Sequence, residues 1–386
     1  MSELLKSGVF SIRGAAGEAS LYQVDNRELA TRAGALLKPR QIDIVTPTLG
    51  QWPLFLVSAD FALGQWLITN DYLLAVRTGA QWTDACVERL VPGVFVQLAY
   101  DGLGWQLTYT PRQATLMPAD TIDSLDEAIA VVDESLNAAV QAIVAGGKPV
   151  MLLLSGGVDS GLLCALLASH GADVQALSIR TPWGDELEGA RRTAESAGVP
   201  MLILELTEQD IIDGIEHAMH WLQHAEPETV LIQVLVTIAQ RYAAAHSRDL
   251  ITGMGSDLLN AVTETGMTSS DASIYGRIHS TSASGLFQTN ALGTLGEHLV
   301  HHPYWQAATI AAQLSVCDRL KSGEGYEKYY LRQLAARRLP EKTAFGTKTA
   351  IHQGTNLYEG LNQALAPKCV EQYIADAWST IVSTCE

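Results

Sequence analysis

Ser155-Gly156-Gly157-Val158-Asp159-Ser160 is a knot of small polar residues between two apolar runs, in the stretch VMLLLSGGVDSGLLCALLASHG. The runs read as a buried strand turning directly into a buried helix. Glycines at the turn let backbone N–H groups approach an anion closely. The start of the helix adds the positive end of its dipole. Ser155 and Ser160 supply hydroxyl donors, and the Asp159 carboxylate is placed to hold Mg²⁺ on phosphate oxygens. Residues of these types at this spacing make a polyphosphate cradle. A tight turn with Asp159 as an ordinary cap would explain some of them, but not the agreement of loop, strand and helix. The GxxxxGK[ST] phosphate loop is excluded, because no lysine follows.

The flanking elements must present this loop. From 150 onward strands alternate with helices: VMLLL, the helix GLLCALLASHG, and the strand DVQALSI over 173–179. TPWGDELEGARRTAESAG follows as a helix ended by Gly198, with Asp185 and Glu188 spaced like a capping box. Next come the strand VPMLILEL, a helix from about Glu208, a longer helix across ETVLIQVLVTIAQRYAAAHS, and a strand into a loop at DLITGMGSD. This alternation predicts a parallel sheet whose ligands bind at the carboxyl ends of its strands. Residues 258–386 read as mostly helical, with a loop-rich stretch at TSSDASIYGRIHSTSASG. Residues 1–118 alternate short runs such as GVFSIRG, ASLYQVD, PLFLVSAD, QWLITNDYLLAVRTG and GVFVQLAYDGLGWQLTYTP. They predict antiparallel strands, with a hairpin at Asp101-Gly102. MPADTIDSLD is a linker, and SLDEAIAVVDESLNAAVQAIVAGG over 124–147 has helical spacing.

With 386 residues, 47% of them hydrophobic, the chain suits two domains with real cores. Mean hydropathy is +0.10, and no apolar run reaches the roughly 18 uncharged residues of a membrane span. The start, MSELLKSGVFSIRG, has no signal-peptide pattern. Cys86, Cys164, Cys317, Cys369 and Cys385 are scattered and read as reduced thiols of a cytoplasmic protein. A net charge of −17 is the wrong sign for a general nucleic-acid binder. Neither nucleic acid nor membrane is an expected partner.

The 155–160 segment resembles the SGGxDS pyrophosphate loop of the N-type ATP pyrophosphatases. Thr252-Gly253-Met254-Gly255-Ser256-Asp257 resembles the G-x-G-[SA]-D segment of asparagine synthetases and the related β-lactam and carbapenam synthetases. LSIRTPWGDELEGARRTAESAGVP is similar to their stretch after the second strand, where the backbone near Leu177-Ser178 would meet adenine. His302-Pro303-Tyr304-Trp305, Glu327-Lys328-Tyr329-Tyr330-Leu331-Arg332, Leu339-Pro340, Gly346-Thr347-Lys348 and Gly354-Thr355 resemble further family segments. The resemblance implies that Lys348 stabilises charge on the intermediate or on pyrophosphate, and that Asp159 and Asp257 hold Mg²⁺. It implies an α/β fold: an adenine nucleotide α-hydrolase-like (ATP pyrophosphatase) domain over 121–386, with a parallel sheet and added helices. A smaller strand-rich domain over 1–120 would precede it. DYLLAVRTGAQWTDACVERLVPGVFVQL is similar to the end of the family's glutaminase (Ntn) domain, with Pro92-Gly93 at its close.

Two departures shape the function. Position 2 is Ser and the first cysteine is Cys86, so no residue is placed to become the N-terminal thiolate that attacks glutamine. The first domain reads as a degenerate remnant without glutaminase activity. In GMGSD, the family's middle Glu or Tyr is Met254, which takes no proton. Either the nucleophile arrives deprotonated, as a hydrazine or hydroxylamine would, or another base serves it, with Glu264, Glu324 and Tyr329 as candidates. His298, His301 and His302 read as packing residues and not a zinc site, and Trp52, Trp66, Trp82 and Trp105 as core. No Ser-His-Asp arrangement is evident.

What these signals imply is an ATP- and Mg²⁺-dependent ligase. It would adenylate a small-molecule carboxylate at Ser155, Gly156, Gly157, Val158, Asp159, Ser160, Leu177, Ser178, Gly253, Met254, Gly255 and Ser256. An amine, in the same molecule or another, would then displace AMP. Biosynthesis of a specialised metabolite, such as an antibiotic, suits it better than asparagine synthesis, and a homodimer is one assembly it could form. The rival readings are a non-catalytic ATP-binding homologue and a tRNA-modifying pyrophosphatase; the second would need a basic face and a catalytic cysteine pair.

Overall fold

The structure is a computed structural model that describes residues 11–15, 18–22, 35–38, 40–51, 53–111, 116, 120–260, 271–289, 298–346 and 354–384. Its first part contains β1 (Ser11–Ala15), β2 (Glu18–Tyr22), β3 (Ala35–Lys38), β4 (Gln41–Val45), β5 (Phe55–Ser58), β6 (Trp66–Thr69), β7 (Cys86–Arg89), β8 (Val94–Tyr100) and β9 (Trp105–Pro111). They form two antiparallel sheets, ordered β2-β1-β6-β5-β7 and β3-β4-β8-β9, and β8 and β9 are the hairpin expected at Asp101-Gly102. Strand periodicity divides the side chains between faces. Leu56, Trp66 and Ile68 meet Ile42, Ile44, Val96, Leu98 and Trp105 of the other sheet. Phe55, Val57 and Leu67 point the opposite way, against Ala75 of a helix at Tyr72–Ala80. That helix corrects the strand-like reading of QWLITNDYLLAVRTG: Asp71 caps it, its carboxylate accepting from the Leu73 and Leu74 N–H groups. Trp82 packs beside this layer; Trp52 lies outside the described residues.

The second part is built on β10 (Val150–Leu153), β11 (Val174–Thr181), the short β12 (Gly184–Asp185), β13 (Met201–Glu205), β14 (Asp249–Ile251) and β15 (Val300–His301). The main strands run parallel in the order β13-β11-β10-β14-β15, with β12 turned back antiparallel on β11. Successive strands thus move outward from β10 on one side and restart on its other side at β14. The gap between β10 and β14 is the topological switch point, where ligands of open α/β sheets bind.

All four residues of β10 are buried because helices cover both faces. Met151 and Leu153 join a core with Ile211, Ile215, Val234 and Leu235 of the helices Glu208–Leu222 and Pro227–Ala245. Val150 and Leu152 join one with Leu162 and Leu166 of Val158–Ser169, and with Val132 and Leu136 of Leu125–Ala145. An unbroken apolar strand such as VMLLL is what a doubly covered parallel sheet requires. By length and composition Leu125–Ala145 could cross a membrane, yet its Ala128, Ile129, Val132, Leu136 and Val140 face is packed on this core. A further hairpin, β16 (Ser322–Gly323) with β17 (Tyr326–Glu327), leads into the helix Tyr329–Ala336.

Two local expectations are corrected. The box expected at Asp185 and Glu188 does not form: the Leu187–Ala197 helix has Glu186 at its N-cap, with no side-chain bond there. Asp185 instead belongs to β12 and pairs with Arg180. A capping box does form at Thr207 and Asp210. Within the stretch read as loop-rich, Asp271–Ala283 is helical. Its Ser and Gly content disfavours a helix, but Ile278 is buried in the core and Ile274 and Tyr275 pack against it.

Candidate active site

The loops leaving β10 and β14 carry the two polar segments, side by side at the switch point. Ser155 and Ser160 close the first loop on itself. The Ser155 N–H donates to Ser160 Oγ at 3.3 Å, the two hydroxyls lie 3.3 Å apart, and Ser160 Oγ donates to the Gly157 carbonyl at 3.3 Å. Gly156 has φ +76°, and a Cβ there would lie 2.7 Å from the Ala190 amide nitrogen; only glycine satisfies both conditions. Gly157 is the N-cap of Val158–Ser169 without any side-chain cap bond, so no side chain competes for the first amides of the helix. Gly253, from the β14 loop, is close-packed on that turn, with a Cβ position 3.0 Å from Ser160 N. Met254, Gly255 and Ser256 follow and lead into Ser256–Asn260.

Beyond this turn lies an ion cluster. Lys328 Nζ is 2.7 Å from Asp159 Oδ2 and 2.5 Å from Asp257 Oδ1, with the Lys328 and Asp159 side chains 4% and 5% exposed. Two carboxylates from different loops therefore converge on one positive charge. The Tyr304 hydroxyl donates to the Asp159 carbonyl at 3.1 Å; burial and nearby carboxylates push its pKa well above the usual phenol value. Tyr330 donates to Asn260 Oδ1 at 2.6 Å, and Asn260 Nδ2 donates to Gln313 Oε1 at 2.8 Å, which fixes the helix bearing Asp257.

A cavity of about 640 Å³ opens in front of these loops, touching Ser155, Asp159, Ser160, Gly253, Met254, Gly255 and Asp257. A smaller one of about 360 Å³ touches Ser155, Gly156 and Gly157 from the other side, with Arg192 and Lys342 on its wall.

Residues 131–268 match the asparagine synthase family model. The chain carries an asparagine synthase domain. Over 240 residues it is 23% identical to carboxyethyl-arginine beta-lactam-synthase of Streptomyces clavuligerus. That match spans 62% of this chain and 47% of the relative, so the chain covers about half the length of that protein. NH3-dependent NAD synthetase of Campylobacter jejuni overlaps 67% of this chain and 93% of its own, at 18% identity and a TM-score of 0.32.

Within the asparagine synthase domain, the structure brings Ser155 to Ser160, Gly253 to Ser256 and Asp257 to one place. It does not bring every candidate there. Leu177 and Ser178 lie inside the sheet: the Leu177 carbonyl accepts from Leu154 N–H, and Ser178 Oγ donates to the Leu154 carbonyl at 2.6 Å. Both are buried, and neither lines the two cavities. Tyr329 and Glu324 bond to each other, the phenol donating to Glu324 Oε1 at 2.9 Å. The carboxylate raises the phenol's pKa, so Tyr329 keeps its proton, and neither residue lines the cavity that holds Met254. Lys348 and Glu264 lie outside the described residues.

The histidines pack. His301 Nε2 is 2.9 Å from Asp249 Oδ2, and buried His302 Nδ1 is 2.7 Å from Thr252 Oγ1. Burial pulls the His302 pKa down to about 3, and no metal-type cluster of three His, Cys, Asp or Glu occurs among the described residues. Sequence reasoning missed Lys328 and Arg332. Lys328 stands in the quoted EKYYLR segment, but a lysine before a helix reads as solvated until the fold buries it. Arg332 donates to the carbonyls of Glu327, Ala344 and Gly346 at 2.8, 3.0 and 2.9 Å and so anchors the chain just before Thr347 and Lys348.

Proposed function

We propose that this chain is an ATP-dependent carbon–nitrogen ligase that activates a small-molecule carboxylate as its adenylate. The observation that carries this reading is the convergence of the Ser155–Ser160 turn with Asp159 and Asp257 at the switch point, within an asparagine synthase domain. A carboxylate oxygen attacks the α-phosphorus, the bond to the β-phosphate oxygen breaks, and pyrophosphate leaves. An amine nitrogen then attacks the acyl carbon, loses its proton to a base, and expels AMP.

Main-chain amides at Gly156, Gly157 and Val158 receive the diphosphate, and Ser155 and Ser160 add hydroxyl donors. Arg192 and Lys342 give the smaller cavity a positive wall behind them, and Lys348 meets charge on the departing group. The Asp159 and Asp257 oxygens fit Mg²⁺, which favours one or two carboxylates together with phosphate oxygens over an all-protein cage. Bound there, the ion would neutralise charge on the triphosphate. Lys328 holds both carboxylates in position for it.

The absence of a cysteine at position 2 supports a first part retained for packing, without release of ammonia from glutamine. We take 1–120 as that part and 121–386 as the synthetase. An amine from a specialised pathway would then replace ammonia, and free thiols at Cys86, Cys164, Cys317 and Cys369 suit the reducing cytoplasm. Met254 supports a second reading, in which ATP binds but no ligation follows. Exchange of labelled pyrophosphate into ATP, across a panel of carboxylic acids, separates the two. The ligase reading expects acid-dependent exchange that Asp159→Ala abolishes; exchange with no acid, in protein that binds ATP, refutes it.

A further inference from the structure

The geometry points to a monocarboxylate with an apolar body as the acid activated here. This rests on the ligase reading above and adds the chemical class of its substrate. The 640 Å³ cavity begins at Asp159 and Asp257, where the reacting carboxylate must sit, and runs to the helix Pro227–Ala245. Away from the two aspartates its wall is Ile232, Val236, Met254, Leu258, Leu286 and Phe287. This wall is firm. Val236 and Phe287 are buried, and the Phe287 ring stacks on Trp305 with centroids 4.1 Å apart. Trp305 is itself buried and tied to the Leu49 carbonyl through its indole N–H.

The charges on the wall decide between acids. Its ionisable groups, among the described residues, are Asp159, Asp257 and Glu228, and it carries no lysine, arginine or histidine. The remaining polar groups include the hydroxyls of Thr229, Ser280, Thr281 and Ser284. The first carboxylate of a substrate meets the cationic end of the cavity. A second one, farther along, would lose water without gaining a cation and would face Glu228. An aliphatic or aromatic body instead gains from every methylene that reaches the wall, by about fourfold in binding each.

The test is ATP–pyrophosphate exchange by the full chain with straight-chain monocarboxylates of increasing length and with dicarboxylates of matched length. The expected result is kcat/KM rising about fourfold per methylene until the cavity is filled, with each dicarboxylate at least tenfold poorer than its partner. Ile232→Lys, at a half-buried wall position, should narrow or reverse that preference while ATP affinity stays unchanged. Exchange that favours dicarboxylates or polar amino acids in the unaltered chain overturns the inference and leaves the ligase reading standing. Exchange with no acid, in protein that binds ATP, removes the ligase reading and this inference with it.

Discussion

Lys328→Met removes the one cation that the Asp159 carboxylate touches directly in the ion cluster. Because the Lys328 and Asp159 side chains are 4% and 5% exposed, water does not replace the lost ammonium. Breaking a buried pair from one side costs about 3–5 kcal/mol, or roughly two to three and a half decades in the folded-to-unfolded ratio. The Asp257 side chain is 66% exposed, so its share is screened and adds little. Urea unfolding at pH 7 without divalent cations should show the loss as a lower midpoint at unchanged slope. Removing both charges with Asp159→Leu and Lys328→Met should recover most of it, since an apolar pair of similar volume replaces a buried ion pair at little cost. Mg²⁺ with ATP, bound to the folded single variant at a hundred times its Kd, should restore about 2.7 kcal/mol. A single variant that unfolds at the unaltered midpoint, or a double variant that shows the sum of two large losses, refutes the buried cluster as described.

Gly156→Ala forces a Cβ to within 2.7 Å of the Ala190 amide at φ +76°. The left-handed backbone alone costs about 1–2 kcal/mol, and displacement of the loop should abolish pyrophosphate exchange; near-normal exchange would contradict the cradle geometry. Stability should fall as pH drops from about 6.5 towards 3. The unfolded His302 binds a proton through that window, while the folded one resists until about 3. The depressed pKa of Asp249 acts in the same direction. The slope from His302 reaches about 1.4 kcal/mol per pH unit, and His302→Gln should flatten it in acid-unfolding titrations. Glu324→Gln should leave exchange within about twofold, because Glu324 bonds to Tyr329 outside the main cavity; a hundredfold loss of amide formation would instead give the pair a role in proton transfer.

Local features were the most legible in the sequence. The unbroken apolar run at 150–154, the small residues after it and the Ser124 cap before Leu125–Ala145 all depend on neighbours close along the chain. Strand order is different, because it depends on which faces meet after folding; the alternation predicted a parallel sheet but not that β14 would lie beside β10. The same limit hid Lys328, whose burial comes from Asp159 and Asp257, and misread Asp271–Ala283, where tertiary packing of Ile278 overrides poor helix propensity. Asp185 shows the opposite error: its spacing to Glu188 fits a cap, but pairing with Arg180 across β11 and β12 takes it away.

The guanidinium of Arg332 gathers three carbonyls, one ahead of Lys328 and two ahead of Lys348. Transplanting the 347–353 segment from a homologue would therefore move an ammonium without the bracket that aims it. Chimeras meant to exchange substrate preference should take 327–354 as one cassette, with Arg332 travelling beside the lysines it steers.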